Sequence, residues 1–280
     1  MHLACVGDNV VDVYPSLGLM FPGGNAVNVA VSAHRAGIDA SYLGVLGSDA
    51  AGRAVRISLE SEGISLDRLR VLPGPNAYCT IDLVDGDRRF GLSDIGVSRF
   101  DLDNDDLAFL ATADLVHTGD TSMIEGQVRD IAVVAPVSFD FAEQPEEYWR
   151  SLVDCVSIAT FSASHLSDED ASDFAREVYA LGPRIVLVTL GGRGALVYDG
   201  EQIYFSRSSV IPVDTLGAGD SLIGAFLAKI LQCRPIHEAL GDGSASAAAT
   251  CLHYGAFGPG FPIEGVAIAE SGMSPGEVLG

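Results

Sequence analysis

The stretch Asp214-Thr215-Leu216-Gly217-Ala218-Gly219-Asp220 runs directly into the apolar segment Ser221-Leu222-Ile223-Gly224-Ala225-Phe226-Leu227-Ala228. Two acids bracket a segment with few side-chain atoms, and the apolar run predicts a helix near residues 217–231. Small residues at a helix start leave backbone N–H groups uncovered, and those groups with the helix dipole form an anion site. Asp220 stands beside that site. An anion cradle next to a carboxylate suits phosphoryl transfer, where catalysis is mostly charge stabilisation and one residue receives the nucleophile's proton. Gly217 and Gly219 alone fit a loop that caps a buried helix equally well. The two aspartates at this spacing favour the chemical reading.

Outward from that stretch, 280 residues suffice for one large α/β domain. A hydrophobic content of 48% with 32 glycines fits a globular enzyme. The formal net charge of -22 argues against non-specific binding to nucleic acid or an anionic membrane, and requires any phosphate to be held by a helix end or a metal ion. The single lysine, Lys229, falls in an amphipathic pattern past Asp220 and reads as solvent-facing. Cys5, Cys79, Cys155, Cys233 and Cys251 are scattered, odd in number and form no C-x-x-C pair, the pattern of reduced thiols. No basic-then-apolar leader and no apolar run long enough for a membrane span occurs, so a cytoplasmic location is expected.

Along the chain, Leu3-Ala4-Cys5-Val6-Gly7 reads as a buried strand with Asp8, Asn9 and Asp12 after its carboxyl end, where open α/β sheets bind ligands. Val10–Tyr14 reads as a short strand that leaves the main sheet. Pro22-Gly23-Gly24-Asn25-Ala26-Val27-Asn28 is a second glycine loop opening a helix, whose asparagines can offer donor and acceptor to a hydroxyl-rich substrate. Ser41–Gly47 reads as one strand and Ala50–Glu62 as a helix. Between Asp67 and Phe100, two strands flanking Asp85-Gly86-Asp87 predict a hairpin inserted in the β-α series as a small lid that excludes water, with Arg88 and Arg89 near its turn. Regular alternation follows, with helices near 103–111, 124–135 and 168–181, and strands at 114–117, 137–141, 153–161 and 184–190. His117 and Asp140 fall at strand ends; His117 reads as a packing residue before a substrate contact, and Asp140 as either substrate-binding or capping. Gly191-Gly192-Arg193-Gly194 follows the most strand-like run, and the tail beyond Gly258 is expected to pack loosely.

Taken together, these residues resemble the ribokinase-like, pfkB-type sugar kinases: Gly23-Gly24-x-x-x-Asn28 looks like that family's first signature and Asp214 through Asp220 like its second. Gly7–Asp12, Pro22–Val31, Phe139-Asp140-Phe141 with Trp149, and His253–Phe257 look most like its fructoselysine 6-kinase branch. The resemblance implies a single ribokinase-like three-layer α/β/α domain over 1–280, with a mostly parallel central sheet and a small β lid from segments near 10–22 and 67–100. It implies that Asp220 is the base, that Gly217, Ala218 and Gly219 donate N–H groups to the transferring phosphoryl, and that Asp12, Gly23, Gly24 and Asn28 hold the sugar with Asp8 beside them. Thr189, Gly191 and Gly194 match its nucleotide segment, and Asp214 its site for a monovalent cation such as K+.

The expected activity is ATP-dependent and magnesium-requiring transfer to a primary hydroxyl of a sugar or sugar-amine adduct, foremost fructoselysine at O6. The alternatives are a fructokinase, a ribokinase-like or nucleoside kinase, and, from another class, a catalytically silent sugar-binding sensor. Ser162 to Glu169 departs from the family's Asn-x-x-Glu segment, so the magnesium ligands stay unassigned, with Asp168 or Glu169 as stand-ins through water. Asp220, at a helix N-terminus, is expected to have a lowered pKa. The open edges of the lid predict a homodimer through that hairpin.

Overall fold

The structure, a computed structural model, describes residues 1–84 and 87–265. The chain opens with β1 (His2–Val6), β2 (Val10–Tyr14), β3 (Leu19–Gly23), α1 (Asn25–Arg35), β4 (Asp39–Leu43), β5 (Val45–Gly47), α2 (Ala50–Ser61) and β6 (Arg70–Leu72). β7 (Tyr78–Val84) and β8 (Asp87–Asp94) come next. A regular series follows: α3 (Asn104–Leu110), β9 (Leu115–Gly119), α4 (Val128–Val134), β10 (Val137–Asp140), α5 (Glu146–Arg150), β11 (Ile158–Ser162), α6 (Asp168–Tyr179) and β12 (Ile185–Thr189). β13 (Ala195–Tyr198), β14 (Ile203–Ser206), α7 (Ala218–Leu231), α8 (Ile236–Thr250) and β15 (Phe261–Pro262) complete it.

Side chains that alternate along each central strand divide between two apolar cores, which sets the layering. Leu3 and Cys5 of β1, Leu187 of β12 and Val197 of β13 face a core completed by α1, α2, α7 and α8. Ala4 and Val6, Val186 and Val188, and Leu196 face the opposite core, completed by α3 to α6. The sheet between them has the order β14-β13-β12-β11-β10-β9-β1-β4, parallel except at one edge, where β13 pairs antiparallel with both β12 and β14. β1 pairs with β4 on one side and β9 on the other. The strand order therefore reverses at β1, and the crevice beyond its carboxyl end is where such sheets bind ligands.

A second sheet has the order β15-β3-β2-β7-β8 and its own small cluster of Tyr14, Phe21, Ile81 and Leu216. The expectation that Val10–Tyr14 leaves the main sheet agrees with this. Phe261 pairs with Met20, so the chain just beyond Gly258 is a strand of this sheet rather than a loose tail. Ser41–Gly47 is two strands rather than one. The Tyr42 hydroxyl turns back onto the Gly7 carbonyl at 2.9 Å at the end of β4, and β5 leaves to pair with β6. The strand expected from residue 153 begins at Ile158, because Val153–Cys155 is a 3-10 turn. Lys229 donates to the Ala36 carbonyl at 3.0 Å, at the end of α1, instead of standing free in solvent. The turn at Asp85-Gly86, the side chains of Arg88 and Arg89, and the tail from residue 266 lie outside the described residues. Among those residues no helix is long and apolar enough to cross a membrane.

Candidate active site

The carboxyl ends of β1, β9, β10 and β12, the N-termini of α1 and α7, and the second sheet enclose a cavity of about 540 Å³. Asp8, Asp12, Gly24, Asn28, Thr189, Gly217, Gly219 and Asp220, all named from sequence, line it. Gly23, Ala218, Gly191, Gly194 and Asp214 are not among its lining residues. A stacked Phe141–Phe161 pair, with Trp149 edge-on to Phe161, supports the ends of β10 and β11 beneath it.

α1 starts at the cavity because Asp8 caps it: the carboxylate accepts from Asn25 N at 2.9 Å and Ala26 N at 3.2 Å. Ser122 Oγ also lies 3.1 Å from Asp8 Oδ1. Asp8 thus acts on the helix as well as facing the cavity. Gly24, the residue before α1, has φ 109°, and a Cβ there would come within 2.7 Å of Asn9 Cα. Only glycine lets the two loops cross this closely.

Asp220 sits in the first turn of α7. Asn28 Nδ2 donates to its Oδ2 at 2.7 Å and Asn25 Nδ2 to its Oδ1 at 2.8 Å. Burial pushes the Asp220 pKa up to about 6, against the lowering effect of the Asn28 and Asn25 amides, with Asp8 and Asp120 adding repulsion. The sequence-based expectation of a lowered pKa is therefore corrected: removal from water outweighs the helix terminus. Asp140, named at a strand end, accepts from Asn25 Nδ2 at 2.8 Å, Thr160 Oγ1 at 3.0 Å and Ala142 N at 3.1 Å. It both faces the cavity and caps its own turn. Its pKa is pushed up to about 7 by burial, with repulsion from Asp120 and Asp220.

Among the donors expected around the phosphoryl, Gly217 and Gly219 face the cavity. Ala218 does not; its N–H turns back to the Thr215 carbonyl at 3.3 Å. Asp214 is 4% exposed and holds its own loop, accepting from Tyr14 Oη, Leu216 N at 3.0 Å and Gly255 N at 3.2 Å. These bonds already engage both of its carboxylate oxygens. Thr189 Oγ1 lies 3.3 Å from Ser162 Oγ at the cavity wall, while Gly191 and Gly194 bracket the turn after β12. Asp168 is clamped between Arg193 and Arg207 at 2.7 and 2.6 Å, away from the cavity, so its expected part as a magnesium stand-in is not met.

Sequence reading missed Asp120 and Glu143, both of which line the cavity. Asp120 accepts from Thr121 N at 2.8 Å and Gln144 Nε2 at 2.9 Å, and burial raises its pKa. Each follows the carboxyl end of a parallel strand, β9 or β10. That position was the available signal.

The chain matches known proteins over nearly its whole length. The model of the pfkB family carbohydrate kinases matches residues 7–262. The chain is 38% identical to the fructosamine kinase FrlD of Bacillus subtilis (strain 168), covering 94% of this chain and 95% of that protein. It is 34% identical to the fructoselysine 6-kinase of Escherichia coli (strain K12), covering 91% and 99% respectively. The structure of Arabidopsis thaliana ribokinase complexed with ribose and ATP superposes with a TM-score of 0.75 at 22% identity, over 90% of this chain and 93% of that one. A ribokinase-like fold, the two glycine loops at one cavity and a family match over nearly the whole length lead to one assignment: the chain belongs to the pfkB family of carbohydrate kinases.

Proposed function

We propose that this carbohydrate kinase transfers the γ-phosphoryl group of ATP to a primary hydroxyl of a sugar-amine adduct, with fructoselysine at O6 as the leading acceptor. The observation that carries the reading is Asp220, held by Asn25 and Asn28 at the start of α7 beside the cavity-facing Gly217 and Gly219. The acceptor is argued from relatives at 34% and 38% identity, among them a fructosamine kinase and a fructoselysine 6-kinase. A cavity lined by Asp8, Asp12, Asp120, Asp140, Glu143 and Asp220 is compatible with an acceptor that carries a protonated amine.

In this mechanism the sugar lies against Asp12, Gly24 and Asn28, whose Oδ1 is buried without a hydrogen-bond partner and can accept from a sugar hydroxyl. Asp220 orients the primary hydroxyl and accepts its proton as the oxygen bonds to phosphorus and the bond to the ADP oxygen breaks. The N–H groups of Gly217 and Gly219 take the charge that develops on the phosphoryl oxygens. Thr189 contacts the nucleotide, and the second sheet acts as the lid that keeps water from the donor.

Magnesium in such sites rides on the nucleotide phosphates with one or two carboxylates and several waters. The described residues form no cluster of three or more metal-ligating side chains, and Asp120 and Glu143 are the cavity carboxylates that would hold the ion. Bound there, it would offset phosphate charge in an acid-lined cavity. Because Asp214 is engaged with Tyr14, Leu216 and Gly255, any K+ at this loop would draw mainly on other oxygens.

The test is ADP release across fructoselysine, fructose, ribose and adenosine, with the product read by NMR. Fructoselysine is expected to give the highest kcat/KM, by at least about a hundredfold over fructose if buried polar groups of the site pair with the lysine part. Equal or better use of fructose, ribose or adenosine would move the assignment to another kinase of the fold. No ADP release with any of them would favour the sensor reading.

We also propose a homodimer through the second sheet. β8 ends that sheet among the described residues, and its Phe90 is 57% exposed. An uncovered edge strand of this length invites pairing with another copy. Light scattering is expected to return twice the chain mass, and a monomer at all working concentrations would refute the pairing.

A further inference from the structure

Behind the cavity lies a chain of polar side chains that the mechanism above leaves without a part. His117, on β9, is 0% exposed and does not line the cavity. One ring nitrogen, Nε2, lies 3.1 Å from Asn25 Oδ1 and the other, Nδ1, 3.1 Å from Ser138 Oγ.

Two carboxylates decide how this chain is polarised. Asn25 Nδ2 is 2.8 Å from both Asp220 Oδ1 and Asp140 Oδ2, so an amide oxygen in its place would face two acceptors. The nitrogen must point to the acids, and Oδ1 must point to His117. Since Oδ1 only accepts, His117 Nε2 carries the proton, Nδ1 accepts, and Ser138 donates its hydroxyl. Each group then has one orientation. Burial keeps the imidazole neutral, with a pKa pushed down to about 3, and this neutrality is what makes Nδ1 the acceptor of the Ser138 hydroxyl.

We propose that His117 is a positioning residue for the transfer: through Asn25 it holds the Asp220 carboxylate on the acceptor hydroxyl and ties Asp140 to the same amide. This rests on the reading of Asp220 as proton acceptor. The charged groups around Asp220 and Asp140 are each other, Asp8 and Asp120, and the hydrogen-bond partners of His117, Asn25 and Ser138, are both uncharged. Releasing Asn25 removes a donor that favours the Asp220 anion, so the acid limb of kcat/KM should move upward in pH.

The experiment compares His117→Leu, which removes the donor, with His117→Gln, whose amide nitrogen lies near the Nε2 position. His117→Leu is expected to lower kcat about tenfold, the effect of one buried hydrogen bond on the transition state, with the KM for ATP unchanged. Its acid limb should lie at higher pH, and His117→Gln should restore most of both. A folded His117→Leu protein with wild-type kcat and acid limb would overturn the proposal, as would a Gln variant no better than Leu. Should His117→Leu fail to fold, Asn25→Ala removes the link at the cavity wall and is expected to show the same upward shift; wild-type behaviour there overturns it equally. Full activity of Asp220→Asn would sink the base reading itself, whereas an inactive Asp220→Asn beside an unaffected His117→Leu would sink only the positioning role.

Discussion

Asp220→Asn is expected to lower kcat about a thousandfold, the middle of the range for a positioned general base, while leaving the KM for ATP within a few-fold of wild type. The amide keeps the size of the carboxylate and can still accept from Asn28, but it cannot take the hydroxyl proton. Thermal unfolding should separate this loss from misfolding. The Asp220 pKa is raised on folding, so its ionisation opposes the folded state: the stability it contributes is fully present below the unfolded value near 4 and lost as pH rises through about 6. Activity has the opposite dependence, because the base must be ionised. In the wild type, kcat/KM is therefore expected to fall tenfold per unit below about pH 6, and a neutral residue at 220 should unfold no earlier than wild type at pH 8. An Asn variant with near wild-type transfer would remove Asp220 from the mechanism.

The reason Asp220 titrates near 6 also marks the limit of what could be read from the chain. Its helix and its glycines are local facts, written in Gly217, Gly219 and the apolar run after them, and both glycine loops were legible for that reason. Its burial is not local. It depends on Asn25 and Asn28 from α1 and on repulsion from Asp8 and Asp120, which the strand order brings together from opposite ends of the sequence. The same cause hid the tie between Asn25 and Asp140, 115 positions apart. His117 read as a packing residue, and burial agrees with that reading, but its partner on the cavity side was invisible in sequence. Ala218 shows the reverse error. Motif membership made it a donor, whereas the geometry of the turn points its N–H back to Thr215. Phe261 was assigned to a loose tail because a two-residue strand leaves no periodicity to detect.

Gly217→Val carries the second large effect, and it separates the backbone of the cradle from its side chains. Gly217 is the residue before α7 and has φ 70°, ψ 3°, a left-handed conformation that a β-branched residue strongly resists. A Cβ at this position would meet Ala256 Cβ at 2.3 Å and Ala256 Cα at 3.0 Å, with Asn28 Nδ2 at 3.4 Å. Ala256 is 3% exposed and belongs to the main core, and Gly255 next to it is packed on Phe21, so the clash cannot be relieved by a surface loop moving away. The turn before α7 must shift instead, taking with it the N–H groups proposed to hold the phosphoryl and loosening the Asn28 bond to Asp220. Loss of one such donor costs about a hundred- to a thousandfold in kcat, and the strained residue should lower stability by on the order of 2 kcal/mol. Gly219→Ala is the control, since a Cβ there meets no protein atom within 4 Å. It should fold as wild type, and any loss must come from crowding the bound phosphate, seen as a raised KM for ATP. Equal and full kcat in both variants would mean that the first turn of α7 does not cradle the phosphoryl at all.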